Sequence, residues 1–290
     1  MRLPIVSTLW KASQHWSNDN ASYMGAAMAY YALFSIAPCL IIGIAIVGMV
    51  FGEAEVKAKV INIARDYIGQ EGAQALENMV EHVWRPATTI WAALVGPAIL
   101  IVAACNFFLQ FGAALAIIWN LPKTVHRHWV LDYIRSYFMA ALMVLIFGFF
   151  LLVLMVGDTL LGFFLNQIIE HLPGVAWIWQ LAHRMSFILL FTVLVIFTFR
   201  FFSHGFIPYS KLIGGALVTS LLMLLGRILF VWYITYMGNS LATAFGAASS
   251  IVIFLMWIYY SSQIVFFGAE VVKVGLDFST ASPQTPLKPA

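Results

Sequence analysis

Charged side chains are scarce in this chain. Asp, Glu, Lys and Arg together make up 9% of its 290 residues, whereas 62% of the residues are hydrophobic. A soluble domain of this length cannot hide so much apolar surface. The formal net charge is only +3 and the basic residues are dispersed, which argues against binding to nucleic acid. The composition therefore excludes an ordinary soluble domain and indicates a membrane protein.

Reactive groups are scarce as well. The 2 cysteines, Cys39 and Cys105, both fall inside apolar runs, so we expect buried thiols and no disulfide framework. The sequence has no glycine-rich phosphate loop with lysine, no His-Glu-x-x-His and no Gly-x-Ser-x-Gly. His126 and His128 lie in a basic loop where Asp132 is the nearby carboxylate. We therefore predict no enzyme activity, no metal site and no cofactor.

Long apolar runs are abundant. They recur along the whole chain, and about 20 apolar residues are enough to cross a bilayer as a helix. We predict an all-α, polytopic membrane domain over residues 22–275, with six transmembrane helices at about 22–51, 88–119, 136–164, 181–202, 212–236 and 248–272. Residues 1–21 are predicted to form an interfacial helix, and residues 276–290, rich in Ser, Thr and Pro, a flexible tail.

Residues 53–86 differ from the rest because they are rich in charge. Apolar residues recur there at helical spacing on both sides of Gly69-Gln-Glu-Gly72, which predicts a helical hairpin outside the bilayer, between spans 1 and 2. Lys and Arg are more numerous on the side of the two termini (Arg2, Lys11, Lys123, Arg127, Arg135, Arg200, Lys211, Lys273, Lys288) than on the side of this hairpin (Lys57, Lys59, Arg65, Arg85). Basic residues favour the cytoplasmic side, so both termini are predicted to be cytoplasmic.

Span 1 carries an unusual set of polar and small residues. The polar members are Asp19 just before it, Tyr30 and Tyr31 one to two turns into it, and Ser35 near its middle. Gly25 and the alanines after it make one region thin enough for close helix packing. Pro38 predicts a kink here, and Pro97 predicts another in span 2. We interpret the polar residues as candidates for a substrate pocket. The alternative is that this pattern serves helix packing only.

Polar side chains also occur toward the cytoplasmic ends of three spans. The candidates are Asp19 in span 1, Asn106 and Gln110 in span 2, and Glu270 in span 6. An ionisable group in hydrocarbon is a functional candidate by default. We therefore predict that these residues converge on one cytoplasm-facing polar pocket, with Lys211 or Lys273 near its rim. The alternative is a stabilising cluster of interhelical hydrogen bonds, with Glu270 at the membrane interface.

Two arginines lie within spans 4 and 5. Counting from Lys211, a rise of about 1.5 Å per residue puts Arg227 about 24 Å from the inner surface. Arg184 lies at a similar outer depth. Two arginines near the outer leaflet are suited to hold a phosphate or carboxylate head group. Interfacial anchoring is the alternative for both.

The order of several motifs resembles a known family. Asp19 and the segment Gly25-Ala-Ala-Met-Ala-Tyr-Tyr-Ala-Leu-Phe-Ser-Ile-Ala-Pro38 resemble the first span of the YihY/BrkB family of bacterial inner-membrane proteins. Later motifs are similar in order: Ile118-Trp-Asn120, Ile207-Pro208, Gly214-Gly-Ala216, Phe245-Gly-Ala247, Leu255-Met-Trp-Ile-Tyr259 and Gly268-Ala-Glu270. The matches cover about residues 15–275. Phe245 departs from the family, which usually has Tyr before Gly-Ala.

The resemblance implies a six-helix protein of the bacterial inner membrane with cytoplasmic termini. It implies little firm biochemistry, because family members carry labels that range from ribonuclease BN to virulence factor and transporter candidate. A ribonuclease needs acid, base or metal groups on an aqueous face, and the cytoplasmic loops of this chain offer only short basic segments.

Three functional hypotheses follow. The first is a transporter or flippase-like protein for an amphipathic or lipid-linked anion, in which the carboxylates take protons and the arginines attract a head group. The second is a non-transporting envelope-integrity or virulence-associated scaffold that holds a partner on residues 53–86. The ribonuclease is the third. Expected partners are membrane lipids, and the glycine-rich spans permit a homodimer, whereas no nucleic acid is expected.

Overall fold

The computed structural model describes residues 5–83, 90–121, 133–150, 153 and 176–280, and these ranges are helical with no strand. The helices are α1 (Ile5–Asn18), α2 (Ala21–Phe51), α3 (Glu53–Val83), α4 (Ile90–Ile118), α5 (Tyr133–Phe150), α6 (Ala176–Phe202), α7 (Tyr209–Phe245) and α8 (Ser249–Thr280). A 3-10 helix, Gly246–Ala248, joins α7 to α8. The predicted all-α class is confirmed for this part of the chain.

Length and composition identify the helices that can cross a membrane. Within the described ranges, 4 segments qualify: Ile101–Ile118, Tyr133–Phe150, Tyr209–Gly238 and Ile251–Leu276. The number rises to 5 if the bent helix α2 counts as one span, and α6 adds the shorter apolar segment Ile188–Phe202. The described part of the chain is therefore all-helical and has several helices that can cross a membrane. Six spans and cytoplasmic termini stay predictions.

A bend divides α2. Its two arms, Ala21–Ser35 and Cys39–Met49, meet at 58°. Pro38 lies in the short interval between the arms, and a proline has no backbone N–H for the hydrogen bond that a straight helix would make there. Pro97 lies within α4, but its side chain is outside the described part of the protein, so the kink at that position stays a prediction.

Helices α7 and α8 run antiparallel and touch through their backbones. A Cβ atom on Gly215 would lie 2.6 Å from the carbonyl oxygen of Gly268 and would overlap the side chain of Val272. Farther along the pair, the rings of Phe230 and Trp257 meet edge to face, 4.9 Å between centroids. Helices in membranes approach this closely where a small residue leaves room for the neighbouring backbone.

Several helix segments lie together at one end of the bundle: α1, the starts of α2 and α7, and the ends of α4, α6 and α8. We call this end the terminal end. Its buried apolar core includes Ala21, Met28, Leu115, Ile118, Trp119, Phe199, Ile207, Leu212, Phe266 and Val272. Side chains from five helices thus share one core there, Trp16 of α1 packs against it, and this core fixes the positions of the polar residues described below.

Helix α3 reverses direction within its length. Lys57 Nζ lies 2.9 Å from Glu81 Oε1. A straight helix would hold these two residues about 36 Å apart. Val56 and Val80 likewise share a core with Ile44 of α2. The two halves of α3 therefore lie side by side, as in the hairpin predicted for residues 53–86, although a position outside the bilayer stays a prediction.

Two helix ends differ in detail from the predicted boundaries. Helix α8 continues to Thr280, and Leu276 packs against the core of the terminal end, whereas the flexibility of the tail stays a prediction. Helix α7 extends to Phe245 and replaces most of the loop expected near 237–247, because Leu241 packs against the buried residues of α7 and α8. Helix α1 buries Ala12, and its place on the membrane surface stays a prediction.

Candidate functional site

The turn between α1 and α2 places Asp19 beside the end of α8. The Asp19 N–H donates to the His15 carbonyl at 2.8 Å, and the Asn20 N–H donates to the Ser17 carbonyl at 3.2 Å, which closes α1. Asn20 then adopts a left-handed conformation, with φ 55° and ψ 42°. Asparagine visits that conformation more readily than most residues. The chain therefore turns sharply after Asp19, and α2 begins at Ala21.

Lys273 joins Asp19 to Glu270. Its Nζ donates to Oδ2 of Asp19, and the same nitrogen lies 3.8 Å from Oε2 of Glu270. Glu270 and Lys273 share one face of α8 because they are three residues apart. We call Asp19, Glu270 and Lys273 the charge cluster. The sequence left the choice between Lys211 and Lys273 open, and the structure places Lys273 between the two carboxylates.

Exposure falls across the charge cluster. The side chain of Asp19 is 24% exposed, that of Lys273 11% and that of Glu270 0%. Burial of an ionised carboxylate is costly unless a charge and hydrogen bonds compensate it. Lys273 supplies a positive charge to both carboxylates, yet the ionised cluster keeps one net negative charge. The charge cluster therefore attracts a proton or another cation. Its members extend from partly exposed Asp19 to buried Glu270.

Trp119 contacts α8 next to the charge cluster. Its Nε1–H donates to the carbonyl of Ala269 at 3.0 Å, in a buried bond. Its ring meets that of Phe199 edge to face, 5.4 Å between centroids. The residue after α4 is thus tied to α8 directly before Glu270. Trp119 was not among the site residues predicted from the sequence. Its position before Asn120, at the end of an apolar run, was the feature that could have indicated it.

A second hydrogen bond ties the start of α2 to α8. Gln263 Nε2 donates to the carbonyl of Ala21 at 3.2 Å. A Cβ atom on Gly25 would overlap the same amide nitrogen, so glycine leaves the room that Gln263 occupies. The thin region predicted in span 1 therefore lies at a helix crossing. Packing accounts for Gly25, in line with the alternative interpretation of that pattern.

Of the two neighbouring tyrosines of α2, Tyr30 is exposed and Tyr31 is half-buried. Tyr30 is 60% exposed, and its ring lies edge-on to Tyr31 at 5.5 Å and to Phe34 at 5.3 Å. The opposite face of the helix, with Ala32 and Ser35, is buried. No described residue forms a hydrogen bond with the Ser35 hydroxyl. Helical spacing turns residues 30 and 34 away from the bundle, and a role of Tyr30 and Tyr31 in a substrate pocket stays a prediction.

Asn106 belongs to a different contact. The Tyr137 hydroxyl of α5 donates to Oδ1 of Asn106 at 3.1 Å. Asn106 lies about 20 Å along the α4 axis from Trp119, which borders the charge cluster. Gln110 is half-buried one turn nearer, and in the described ranges no hydrogen bond joins either amide to the cluster. The single pocket expected from the sequence is therefore corrected: Asp19 and Glu270 meet, whereas Asn106 is bonded to α5.

The two arginines predicted near the outer leaflet are only partly described. Arg227 is half-buried on α7. Arg184 lies on α6, and its side chain is outside the described part, so an anion site formed by the pair stays a prediction. Among the described residues, no group of three or more His, Cys, Asp or Glu side chains could hold a metal ion.

The sequence matches the family described as Virulence factor BrkB over residues 12–285. A UPF0761 membrane protein of Coxiella burnetii is 26% identical over 276 residues, which cover 92% of this chain and 92% of that protein. UPF0761 membrane proteins of Alcanivorax borkumensis and Neisseria meningitidis are 22% identical, and the matches cover 94% and 91% of this chain but 61% and 62% of those proteins. No solved structure matches. The resemblance seen in the sequence is thereby confirmed, and the chain belongs to the Virulence factor BrkB family of membrane proteins.

Proposed function

We propose that the protein is an inner-membrane transporter, flippase-like in its action, for an amphipathic or lipid-linked anion. The observation that carries this proposal is the charge cluster, in which Lys273 lies between Asp19 and fully buried Glu270. Ionisable groups inside membrane domains are costly and characteristically mark ion pathways and proton relays. A protein that serves only as an anchor has no need for a buried glutamate. The proposal assigns no chemical reaction to the chain.

The bend in α2 supports the same function. Interrupted helices recur in secondary transporters, where half-helices border the binding site and one part of the protein moves against another. The first arm of α2, Ala21–Ser35, follows directly after the turn that holds Asp19, and it contacts α8 through the bond from Gln263 to Ala21. Any movement of this arm relative to α8 therefore changes the distance between Asp19 and Lys273.

Exposure suggests a role for each member of the cluster. Asp19 is the carboxylate of the cluster that water reaches. Lys273 lies within reach of both carboxylates. Protonation of Asp19 weakens its bond to Lys273 and loosens the α1–α2 corner from α8. Glu270 then keeps the lysine in place on α8. The cluster is net negative, so in this mechanism it couples movement to protonation and does not itself hold the anionic substrate.

The test uses vesicles with a trace of phosphatidylglycerol labelled on its head group with a fluorophore that dithionite bleaches only in the outer leaflet. Vesicles that contain the wild-type protein should lose the inner-leaflet signal as well, and faster under a pH gradient. Asp19→Asn removes the carboxylate whose protonation loosens the corner, so it should abolish the effect of the gradient. The matched control is Glu55→Gln, which changes an exposed carboxylate of α3 and should behave as the wild type.

Two results would contradict the proposal. In the first, wild-type vesicles retain the inner-leaflet signal as fully as protein-free vesicles do. In the second, Asp19→Asn keeps the response to the gradient.

A scaffold that supports envelope integrity without transport is the second candidate, and the hairpin of α3 favours it. The hairpin exposes several charged side chains, among them Glu53, Glu55 and Arg65. A protein partner in the envelope would bind this surface. The double variant Glu55→Lys with Arg65→Glu should then make cells sensitive to detergent, whereas Glu270→Gln should leave their resistance intact.

Both candidates place the protein in the inner membrane among lipids. A homodimer is part of the proposal as well, and the mass of the purified protein in detergent, corrected for bound detergent, checks it.

A further inference from the structure

The corner between α6 and α7 carries a groove that the charge cluster does not use. Its volume is about 400 Å³, and its lining consists of Val193, Ile196, Phe197, Arg200, Phe201 and Tyr209. This volume lies within the roughly 300–1,000 Å³ that is usual for small-molecule sites. Val193, Phe197 and Tyr209 are exposed, so the groove opens on the outer surface of the helices. Apart from the guanidinium and one phenol hydroxyl, the lining is apolar.

Arg200 is held at one end of this groove by the turn that follows α6. One nitrogen, Nη1, donates to the carbonyls of Gly205 at 2.8 Å and Ile207 at 2.7 Å. The guanidinium carbon lies 4.7 Å from the centroid of the Tyr209 ring. These contacts fix the guanidinium plane in place. A guanidinium has five N–H donors, so three donors, on Nη2 and Nε, remain for a ligand.

The charge of Arg200 has no acidic counterpart in the parts of the chain that the structure describes. The ion pairs of Lys57 with Glu81 and of Lys273 with Asp19 and Glu270 do not involve it. Within the described ranges, Arg200 at the end of α6 therefore offers both a positive charge with no acidic partner and a fork of donors. Phosphate oxygens fit such a fork because paired N–H donors can bind two of them at once.

We propose that this groove binds an acidic phospholipid of the surrounding bilayer, with its phosphate on Arg200 and one acyl chain along α6 toward Val193. Val193 precedes Arg200 by two helical turns, about 10 Å along the axis. The groove thus has a cation at the helix end and an apolar lining beyond it. A lipid has the same order, with a charged head group followed by an apolar acyl chain. An acidic head group is favoured because the ammonium of a zwitterionic one would be repelled by the guanidinium.

The groove is separate from the charge cluster. It lies on the exposed face of α6, whereas Val195 and Phe199 of the same helix are buried in the core of the terminal end. The inference goes beyond the proposed function, since it concerns binding and holds for a scaffold as well as for a transporter. A failure of the vesicle assay would leave it intact.

The test is native mass spectrometry of the full-length protein in detergent, titrated with phosphatidylglycerol or with phosphatidylethanolamine that has identical acyl chains. The wild type should bind phosphatidylglycerol at least about tenfold more tightly than phosphatidylethanolamine. Arg200→Gln should remove this preference, because hydrogen bonds to charged groups change affinity by about tenfold to hundredfold.

A second variant separates lipid binding from the role of Arg200 in the turn. Val193→Trp fills the far end of the groove and leaves every contact of Arg200 in place. It should weaken phosphatidylglycerol binding about tenfold, which corresponds to a loss of about 1.4 kcal/mol in binding free energy. The matched control is Leu189→Trp, because Leu189 is exposed one turn farther along α6 and outside the groove. The proposal is overturned if both lipids bind the wild type equally, or if Val193→Trp binds phosphatidylglycerol as Leu189→Trp does.

Discussion

Replacement of Gly215 by alanine tests whether α7 and α8 meet through their backbones. A Cβ atom at this position would lie 2.6 Å from the carbonyl oxygen of Gly268, whereas a Cβ atom on the neighbouring Gly214 would meet no heavy atom within 4 Å. Both glycines lie near the start of α7 and differ by one position. Either substitution therefore gains about 0.5–1 kcal/mol of helix propensity.

The steric contact decides the sign at Gly215. A backbone oxygen cannot rotate away as a side chain can, so the added methyl group forces α7 and α8 apart. Overpacking of this kind typically costs about 1–3 kcal/mol. After the gain in propensity, Gly215→Ala should lower the free energy of unfolding by up to about 2 kcal/mol. Gly214→Ala should leave the free energy of unfolding unchanged or raise it by up to about 1 kcal/mol.

The assay heats each purified variant in detergent and measures the fraction that still elutes as folded protein by size exclusion. Gly215→Ala should have a lower apparent melting temperature than the wild type, and Gly214→Ala an equal or higher one. Equal melting temperatures for the two variants would refute the close backbone contact, because both change the same atoms in the same helix.

Two more predictions concern the charge cluster and Trp119, which contacts α8 next to it. Lys273→Met leaves Glu270 buried without this lysine and should lower the free energy of unfolding by about 3–5 kcal/mol; addition of Glu270→Gln should restore part of the loss, and thermal melting of the single and double variants measures both. Trp119→Phe removes the indole N–H that donates to the carbonyl of Ala269, which keeps its hydrogen bond within α8, and should cost about 0.5–1.5 kcal/mol. The exposed Trp10→Phe is the control and should melt like the wild type.

The helices could be predicted from the sequence because their signal is local. Each of the six predicted spans overlaps a helix, since an apolar run of that length has few other ways to satisfy its backbone in lipid. Lys57 and Glu81, which meet, are equally far in sequence from Gly69, so the contact is consistent with a reversal centred near the Gly69-Gln-Glu-Gly72 segment that interrupts the apolar pattern. The lengths of α7 and α8 were underestimated, because their last turns are stabilised by packing against other helices, which no local pattern records.

The site could be predicted only in part. Asp19 and Glu270 stand out as carboxylates at the ends of apolar runs, and their positions along the helices predicted that they lie at the same end of the bundle. The position of a residue along a helix does not show which side of the helix it faces. This is why Asn106, which turns toward Tyr137 of α5, was expected in the same pocket as the carboxylates. The position of Tyr30 on the exposed face has the same cause.

The contacts of α8 differ in kind, and the difference indicates which part moves in the proposed transport. Helices α7 and α4 meet α8 through the Gly215 contact and through the buried bond from Trp119, both of which tolerate little displacement. The α1–α2 corner shares the apolar core of the terminal end with α8, and its polar contacts with α8 are the bonds from Lys273 to Asp19 and from Gln263 to Ala21. Protonation of Asp19 weakens only the first of these two bonds and leaves the contacts of α7 and α4 unchanged. The corner with the first arm of α2 is therefore the part expected to move, and α8 with its close-packed neighbours the frame against which it moves.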